Sequence, residues 1–376
     1  MKPILLQNVQ TLRAVAALLV VLVHMTLKNV GIEEIFGSGN ESWLLPLKSI
    51  GTFGVDLFFV ISGFIMLVTN WEAFGSRHAG LKFLVRRVIR IYPPYWFAFI
   101  PVFIVLEFAR DRYMVSHTSG QTGLIESFFL LPNPHQFVLA VGWTLVWEMV
   151  FYVVFSGLLA FQQRFIPVLL FGWYVVEVVL NHTLNHATNY YFLFASTSLP
   201  IEFILGSVVG LLYVKGRLPP TWLLSLGAIC LTTVAFSYRI LWPDKGFPCD
   251  PVYFLGIPAA LIVASAVSAE IRLVFVSPKW MSDLGNGSYA VYLWHISVLV
   301  GLRQIIAPMH LHGPIAHTLV LVVTVLTITT VGQLVYYLFE IPITTYLNRW
   351  SRSFFADRML IKASSDLRIQ SELRVD

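Results

Sequence analysis

Long apolar segments follow one another almost from end to end of this chain, and they decide its fold class. Of its 376 residues, 57% are hydrophobic and only 12% are charged, whereas a soluble globular protein carries about 25% charged residues. A membrane-spanning helix needs roughly 20 apolar residues. The sequence therefore predicts an all-α polytopic membrane helix bundle with about ten transmembrane helices. The predicted spans are 9–28, 51–70, 92–109, 138–160, 165–181, 195–214, 221–241, 252–269, 289–307 and 316–338.

The distribution of lysine and arginine predicts the orientation of the bundle. With a cytoplasmic N-terminus, roughly 18 of the 25 basic residues fall on the cytoplasmic side, and an even number of spans places both termini there. This bias explains the net charge of +5 without nucleic-acid binding. We expect the first apolar segment to be retained, because it is too long for a signal peptide and contains His24. Residues 1–345 are the predicted transmembrane domain, and 346–376 the predicted cytoplasmic tail.

An arginine and a histidine share one face of the first span, in the stretch "RAVAALLVVLVH" from Arg13 to His24. Eleven helical steps return a side chain to within roughly 20° of its starting direction and separate the two by about 16 Å along the axis. Ionisable side chains within a membrane are candidates for function. The alternative is an interfacial arginine and an unrelated buried histidine.

The segment 77–92, "RHAGLKFLVRRVIRIY", carries an apolar stripe and a basic stripe at helical spacing. It predicts an amphipathic helix that lies at the cytoplasmic interface and ends at Pro93 and Pro94. Arg87 and Arg90 lie one turn apart, and two guanidinium groups so placed suit phosphate oxygens. Anchoring to lipid headgroups is the other interpretation.

Two of the carboxylates within predicted spans stand out, because a lone charge there is expensive. Asp56, in the glycine-rich run "GTFGVDLFFVISGF", is either a hydrated interfacial residue or a partner that orients His24. Glu148 shares a helical face with Thr144 and Tyr152, deep within an apolar segment. We expect Glu148 to face the interior of the bundle.

The run "LGNGSYAVYLWHISVL", which opens the ninth predicted span, carries Ser288, Tyr292 and His295 on a single helical face. This pattern predicts either substrate contacts or ordinary hydrogen bonds between helices. His310, His312 and His317 lie in a short external loop without nearby cysteine or carboxylate ligands, so we expect no metal site.

In combination, these motifs resemble the acyltransferase-3 family of integral membrane O-acyltransferases, which O-acetylate bacterial polysaccharides and related glycans. The resemblance rests on the Arg13-to-His24 spacing, "GVDLFFVISGF", the Arg87 and Arg90 pair, and "SYAVYLWH" followed by "YYLFEIP" around Glu340. It covers roughly residues 8–345.

The resemblance implies a multi-pass enzyme of the bacterial cytoplasmic (inner) membrane that moves an acyl group from cytoplasmic acyl-CoA to a glycan hydroxyl. Acetyl-CoA is the expected co-substrate, and no metal is expected. The expected acceptor is an exopolysaccharide or O-antigen unit, either free or lipid-linked. Arg13, Arg87 and Arg90 would hold the CoA end, and His24 would act as a general base or as a nucleophile. Asp56 or Glu148 would hold the tautomer of His24. The implied substrate-binding residues are Ser288, Tyr292 and His295.

Two other functions are consistent with the residues. A transporter or flippase of lipid-linked sugars would use the buried histidine and glutamate as a proton relay, but it has no need of an arginine-rich CoA site. A scaffold within a polysaccharide assembly complex would tolerate replacement of His24.

Overall fold

The computed structural model describes residues 6–26, 51–76, 78–108, 122–242, 247, 250–309 and 313–351. These residues are almost wholly helical, and the one β-type pairing among them is an isolated bridge between Thr122 and Gln136. The helices are α1 Gln7–Met25, α2 Phe53–Asn70, α3 Ala79–Phe108, α4 Leu124–Phe129, α5 Gly142–Leu158, α6 Ile166–Leu184, α7 Tyr190–Ala195, α8 Leu199–Val214, α9 Thr221–Leu241, α10 Ile257–Ile271, α11 Lys279–Asn286, α12 Ser288–Ile306 and α13 Pro314–Val335. Two π-helical turns are continuous with them: Val252–Gly256 leads into α10, and Tyr336–Glu340 extends α13, after which the helix runs to residue 351.

Nine of the described helices are long and apolar enough to cross a membrane, and a shorter apolar helix, α5, accompanies them. The predicted all-α membrane bundle is therefore confirmed. Each predicted span has a helical counterpart. Helix α8 reaches spanning length together with α7, and α10 together with the π-helical turn before it, whereas α5 has only 17 residues. The cytoplasmic placement of both termini stays a prediction.

The predicted break at Pro93 and Pro94 is wrong. Helix α3 runs without interruption from Ala79 to Phe108 and contains both prolines as well as Pro101. Neighbouring helices can compensate for backbone hydrogen bonds that a proline removes within a membrane bundle. The basic segment is therefore the first part of a long helix rather than a separate helix lying at the interface, and α3 carries Arg87 and Arg90 into the bundle.

Helix α1 lies at the centre of the bundle and is held at its first turn by a carboxylate. The backbone N–H groups of Gln7 and Asn8 both donate hydrogen bonds to the carboxylate of Glu270 at the end of α10, and each N–O distance is 2.8 Å. A negative charge here satisfies the free N–H groups of a helix start. Gly285 of α11 also lies directly against the backbone of Gln10, with no room for a Cβ. These contacts fix the position of α1.

Small residues let α2 approach its neighbours closely. A Cβ on Gly63 would lie 2.0 Å from the carbonyl oxygen of Phe203, and one on Gly206 would lie 1.9 Å from that of Val60. Without a hydrophobic driving force between helices in lipid, such close packing is a main source of association. The α2–α8 pair therefore forms a rigid wall beside α1.

Candidate active site

Two cavities lie on opposite sides of one layer of side chains. The first, here called the arginine cavity, has a volume of about 320 Å³. Its lining includes Arg13 from α1, Arg87 and Arg90 from α3, and Glu148 from α5. The bundle thus brings together, from α1 and α3, the three arginines that the sequence predicted as one site.

The three guanidinium groups differ in what already holds them. Arg90 forms a hydrogen-bonded ion pair with Glu340, whose side chain is 0% exposed, and its Cζ lies 5.7 Å from the centre of the Tyr289 ring. Arg87 lies over the rings of Phe83 and Tyr152, at 5.2 and 5.5 Å. The buried Nε of Arg87 has no hydrogen-bond partner among the described residues. Arg13 donates to the side-chain oxygen of Gln10 at 3.0 Å. Arg87 therefore keeps a buried N–H donor that no described side chain or carbonyl uses.

The Arg90–Glu340 pair predicts an asymmetric effect on stability. Removing Arg90 leaves the fully buried Glu340 without its partner, and breaking a buried pair in this way costs about 3 kcal/mol or more. Glu340→Gln keeps a hydrogen-bond acceptor for Arg90, whose side chain is 30% exposed. In thermal unfolding of the purified protein, we expect Arg90→Ala to lower Tm strongly relative to wild type and Glu340→Gln to lower Tm only slightly. Equal losses in both variants would contradict this asymmetry.

Glu148 belongs to the arginine cavity. It accepts a hydrogen bond from the hydroxyl of Tyr152 and a long one, 3.5 Å, from Ser62. The prediction that Glu148 faces the bundle interior is confirmed. A carboxylate beside the arginines can hold their side chains in place, in the way that ion pairing orients a binding group.

His24 lines the second cavity, here called the histidine cavity, which has a volume of about 750 Å³. Its Nδ1 lies 2.8 Å from the backbone carbonyl of Val20. A carbonyl only accepts, so Nδ1 is assigned the proton, and in the neutral ring Nε2 then keeps its lone pair. Nε2 is the atom that a general base or a nucleophile needs.

The structure gives each proposed partner of His24 another contact. Asp56 of α2 lies within hydrogen-bonding distance of Glu202 of α8, and both side chains are buried. Glu148 faces Tyr152, as described above. The expected contact of a carboxylate with His24 is thus replaced by the Val20 carbonyl four residues earlier in the same helix. Two carboxyl groups can form a hydrogen bond with each other only when one of them carries a proton. Because Asp56 lies on α2 and Glu202 on α8, this contact joins the two helices.

The three polar residues of α12 separate into different surroundings. The ring of His295, 0% exposed, meets that of His24 edge-on with 4.8 Å between centres. Tyr292 lines the arginine cavity. Ser288 is buried, lines neither cavity, and its hydroxyl has no partner among the described residues. Only Tyr292 and His295 thus lie at the candidate site.

A thin layer around Tyr292 separates the cavities. The Tyr292 hydroxyl lies 2.5 Å from the Thr144 hydroxyl. The Thr144 hydroxyl donates a hydrogen bond to the Val141 carbonyl at a distance of 2.9 Å. Thr144 lines the arginine cavity and Val141 the histidine cavity. The linings of the two cavities therefore meet at Tyr292, Thr144 and Val141.

Sequence reasoning missed several residues of this site. Tyr289 and Asn286 line the arginine cavity, and Trp143 lines the histidine cavity. Tyr289 directly follows Ser288, but an isolated tyrosine in an apolar helix carries no signal of a site. Among the described residues, no group of three or more histidine, cysteine or carboxylate side chains is placed to hold a metal. His310 and His312 lie outside the described residues.

Comparison with known proteins defines the class. The acyltransferase-3 family, described as an acyltransferase domain, matches residues 6–351, and the chain belongs to this family. It is a multi-pass membrane acyltransferase.

Among its relatives is the exopolysaccharide production protein ExoZ of Rhizobium meliloti (strain 1021), which is 28% identical over 302 residues, covering 78% of this chain and 90% of ExoZ. The O-acetyltransferase OatA of Staphylococcus aureus is 23% identical over 91% of this chain, which spans 57% of OatA. No solved structure matches the chain.

Proposed function

We propose that this protein is an acyl-CoA-dependent O-acyltransferase of the bacterial cytoplasmic membrane that transfers an acetyl group to a hydroxyl of a surface glycan. The observation that carries the proposal is the arginine cavity, which lies beside His24 with one thin layer between them. The names of ExoZ, an exopolysaccharide production protein, and OatA, an O-acetyltransferase, support the glycan and the acetyl group.

The arginine cavity is the proposed site of the CoA phosphates. Guanidinium groups bind phosphate oxygens through paired hydrogen bonds, and Arg13, Arg87 and Arg90 surround one space. Glu340 already engages Arg90, so we assign Arg87 the main contact and Arg90 a supporting one. The pantetheine arm then runs along α1, because the rise from Arg13 to His24 is about 16 Å.

His24 is the proposed catalytic residue, and its Nε2 is suited to two routes. As a general base, Nε2 takes the proton of the acceptor hydroxyl while the oxygen attacks the thioester and CoA leaves as the thiolate. As a nucleophile, Nε2 first forms an N–acyl bond as the C–S bond breaks, and the acceptor oxygen then takes the acyl group. In both routes the hydroxyl proton ends on the CoA sulfur. Backbone contact with Val20 holds the reactive tautomer throughout.

Glu148 and Asp56 take positioning roles in this proposal. Glu148 and Tyr152 hold the arginine side of the site. The contact of Asp56 with Glu202 supports the α2–α8 wall.

The layer between the cavities predicts the effect of a mild substitution. Tyr292→Phe removes one hydroxyl of the Tyr292–Thr144–Val141 chain, and one such hydrogen bond contributes about 1 kcal/mol. We expect water to reach the thioester more often, so acceptor-independent hydrolysis of acetyl-CoA should rise about fivefold relative to transfer. Both rates can be measured in one assay of CoA release and labelled product.

Tyr289→Phe is the matched control for this layer. Tyr289 lines the same cavity, but its hydroxyl donates to the Ile91 carbonyl at 3.0 Å, away from the layer. An unchanged ratio of hydrolysis to transfer in Tyr292→Phe, or an equal change in both variants, would argue against a barrier at Tyr292.

The proposed function is tested with purified protein in nanodiscs. Acetyl-CoA labelled in the acetyl group is supplied with oligosaccharides from de-O-acetylated surface polysaccharide, and CoA release and label on the glycan are measured together. We expect both products in a ratio near one. No thioester cleavage by the wild-type protein with any such glycan would overturn the proposal.

A further inference from the structure

The lining of the histidine cavity combines two kinds of side chain. An apolar part comes from α3, with Pro101, Val102, Val105 and Leu106. A polar part combines aromatic rings with amides: Trp143, Tyr190, Trp294, Asn133 and Gln136. His24 lies at this cavity, so a ligand bound there reaches the proposed catalytic residue.

The polar side of this cavity is built from an anchored segment. The short helix α4 and the loop after it are tied to α3 by the hydroxyl of Tyr95, which donates to the Ser127 carbonyl at 2.6 Å, and by the indole of Trp96, which donates to the Phe128 carbonyl at 3.0 Å. Ser127 in turn accepts from the backbone of Val138 at 3.1 Å. Binding groups on such a preorganised segment lose little entropy when a ligand arrives.

Internal hydrogen bonds also order the loop itself. The amide oxygen of Asn133 accepts from the backbone N–H of His135 at 2.9 Å, and the backbone N–H of Asn133 donates to the hydroxyl of Tyr190 at 3.2 Å. The loop is therefore joined to α7 directly and to α3 through α4, and Tyr190 and Asn133 are held at the cavity together.

Two features of the lining favour a ligand that has both apolar faces and hydroxyl groups. Trp143, the second residue of α5, is 45% exposed, which leaves an indole face for a flat partner. The buried indole N–H of Trp294 has no acceptor among the described residues, and a buried donor without a partner costs free energy. A sugar ring offers C–H groups on its faces and hydroxyl oxygens at its edge.

We infer that the histidine cavity is the acceptor subsite and that it recognises an uncharged sugar ring through Trp143 and the Asn133–Gln136 loop. This inference rests on the proposed function and deepens it. Trp143 and Thr144 are neighbours on α5, so one helix contributes to sugar recognition and to the layer that the acyl group crosses.

The test measures binding on each side of the layer without requiring turnover. In a Cys230→Ser/Cys249→Ser background, Ala140→Cys places a thiol in the histidine cavity, and Asn286→Cys places one in the arginine cavity. The rate of labelling by N-ethylmaleimide is measured in nanodiscs with CoA or with neutral oligosaccharides from de-O-acetylated surface polysaccharide of the producing cells. We expect the oligosaccharides to slow labelling at position 140 about tenfold and CoA to slow it at position 286.

The Trp143→Ala variant makes the test specific to the sugar platform. Combined with Ala140→Cys, it should raise the oligosaccharide concentration needed for protection about tenfold, equivalent to about 1.4 kcal/mol. Trp222→Ala is the matched control, because Trp222 is also the second residue of its helix, is 68% exposed, and lies outside both cavities. It should leave protection unchanged.

Lipid extracts distinguish a lipid-linked sugar from a free glycan. Protection by the extract but loss of protection after mild acid removes the sugars would support the subsite with a lipid-linked acceptor. Protection by soluble oligosaccharides supports it with a free one. Protection that persists in the sugar-stripped extract, or that is unaltered by Trp143→Ala, would overturn the inference. CoA protection at position 286 without any sugar protection at position 140 would also overturn it, while leaving the donor side of the proposed function intact.

Discussion

Replacing His24 by alanine is expected to lower kcat for acyl transfer by about a hundredfold to ten-thousandfold, the usual contribution of a general base. If His24 is instead a nucleophile, we expect its loss to lower kcat by about ten-thousandfold or more. The KM for acetyl-CoA should change little, because the three arginines line the other cavity. Steady-state kinetics with labelled acetyl-CoA measure both quantities.

His182→Ala is the control for this substitution, since His182 is an exposed histidine on α6. It should keep wild-type kcat. Quenched samples also separate the two routes, because label retained on wild-type protein and absent from His24→Ala indicates the nucleophile. Transfer that continues at the wild-type rate in His24→Ala would rule out both routes.

Replacing Arg87 by alanine is expected to raise the KM for acetyl-CoA about tenfold to a hundredfold with a much smaller change in kcat. A hydrogen bond to a charged group contributes about 1.5–3 kcal/mol, and a factor of ten corresponds to about 1.4 kcal/mol. Arg87→Lys should recover only part of the loss, because an ammonium group lacks the paired donors of guanidinium. Direct binding of CoA gives an independent measurement.

Arg86→Ala provides a close comparison. Arg86 is the adjacent residue of α3, is exposed, and lies outside the arginine cavity. If lipid anchoring were the role of this basic segment, Arg86→Ala and Arg87→Ala would change the KM for acetyl-CoA alike. A selective effect of Arg87→Ala supports the phosphate site.

The sequence predicted the bundle and many of its site residues because the necessary signals are local. Apolar runs of about 20 residues mark spans directly, and the helical period alone places Arg13 and His24 on one face. The same period placed Glu148 with Thr144 and Tyr152, and all three line the arginine cavity.

Contacts between helices were beyond this reasoning. Asp56 and Glu202 are far apart in sequence, and nothing local indicates that they face each other. The division into two cavities depends on how α5 and α12 meet at Thr144 and Tyr292. The break predicted at Pro93 failed for a related reason, because packing against α4 supports a helix that propensity alone would end.

Proteoliposomes with the two substrates on opposite sides provide the most direct test of transfer through His24 across the bundle. Labelled acetyl-CoA is supplied outside, neutral acceptor oligosaccharide is sealed inside, and label on the enclosed glycan is measured for wild type and for His24→Ala. We predict labelled glycan inside vesicles that contain the wild-type protein and none above background with His24→Ala. Labelling that occurs only when donor and acceptor share one side would contradict transfer between the two cavities.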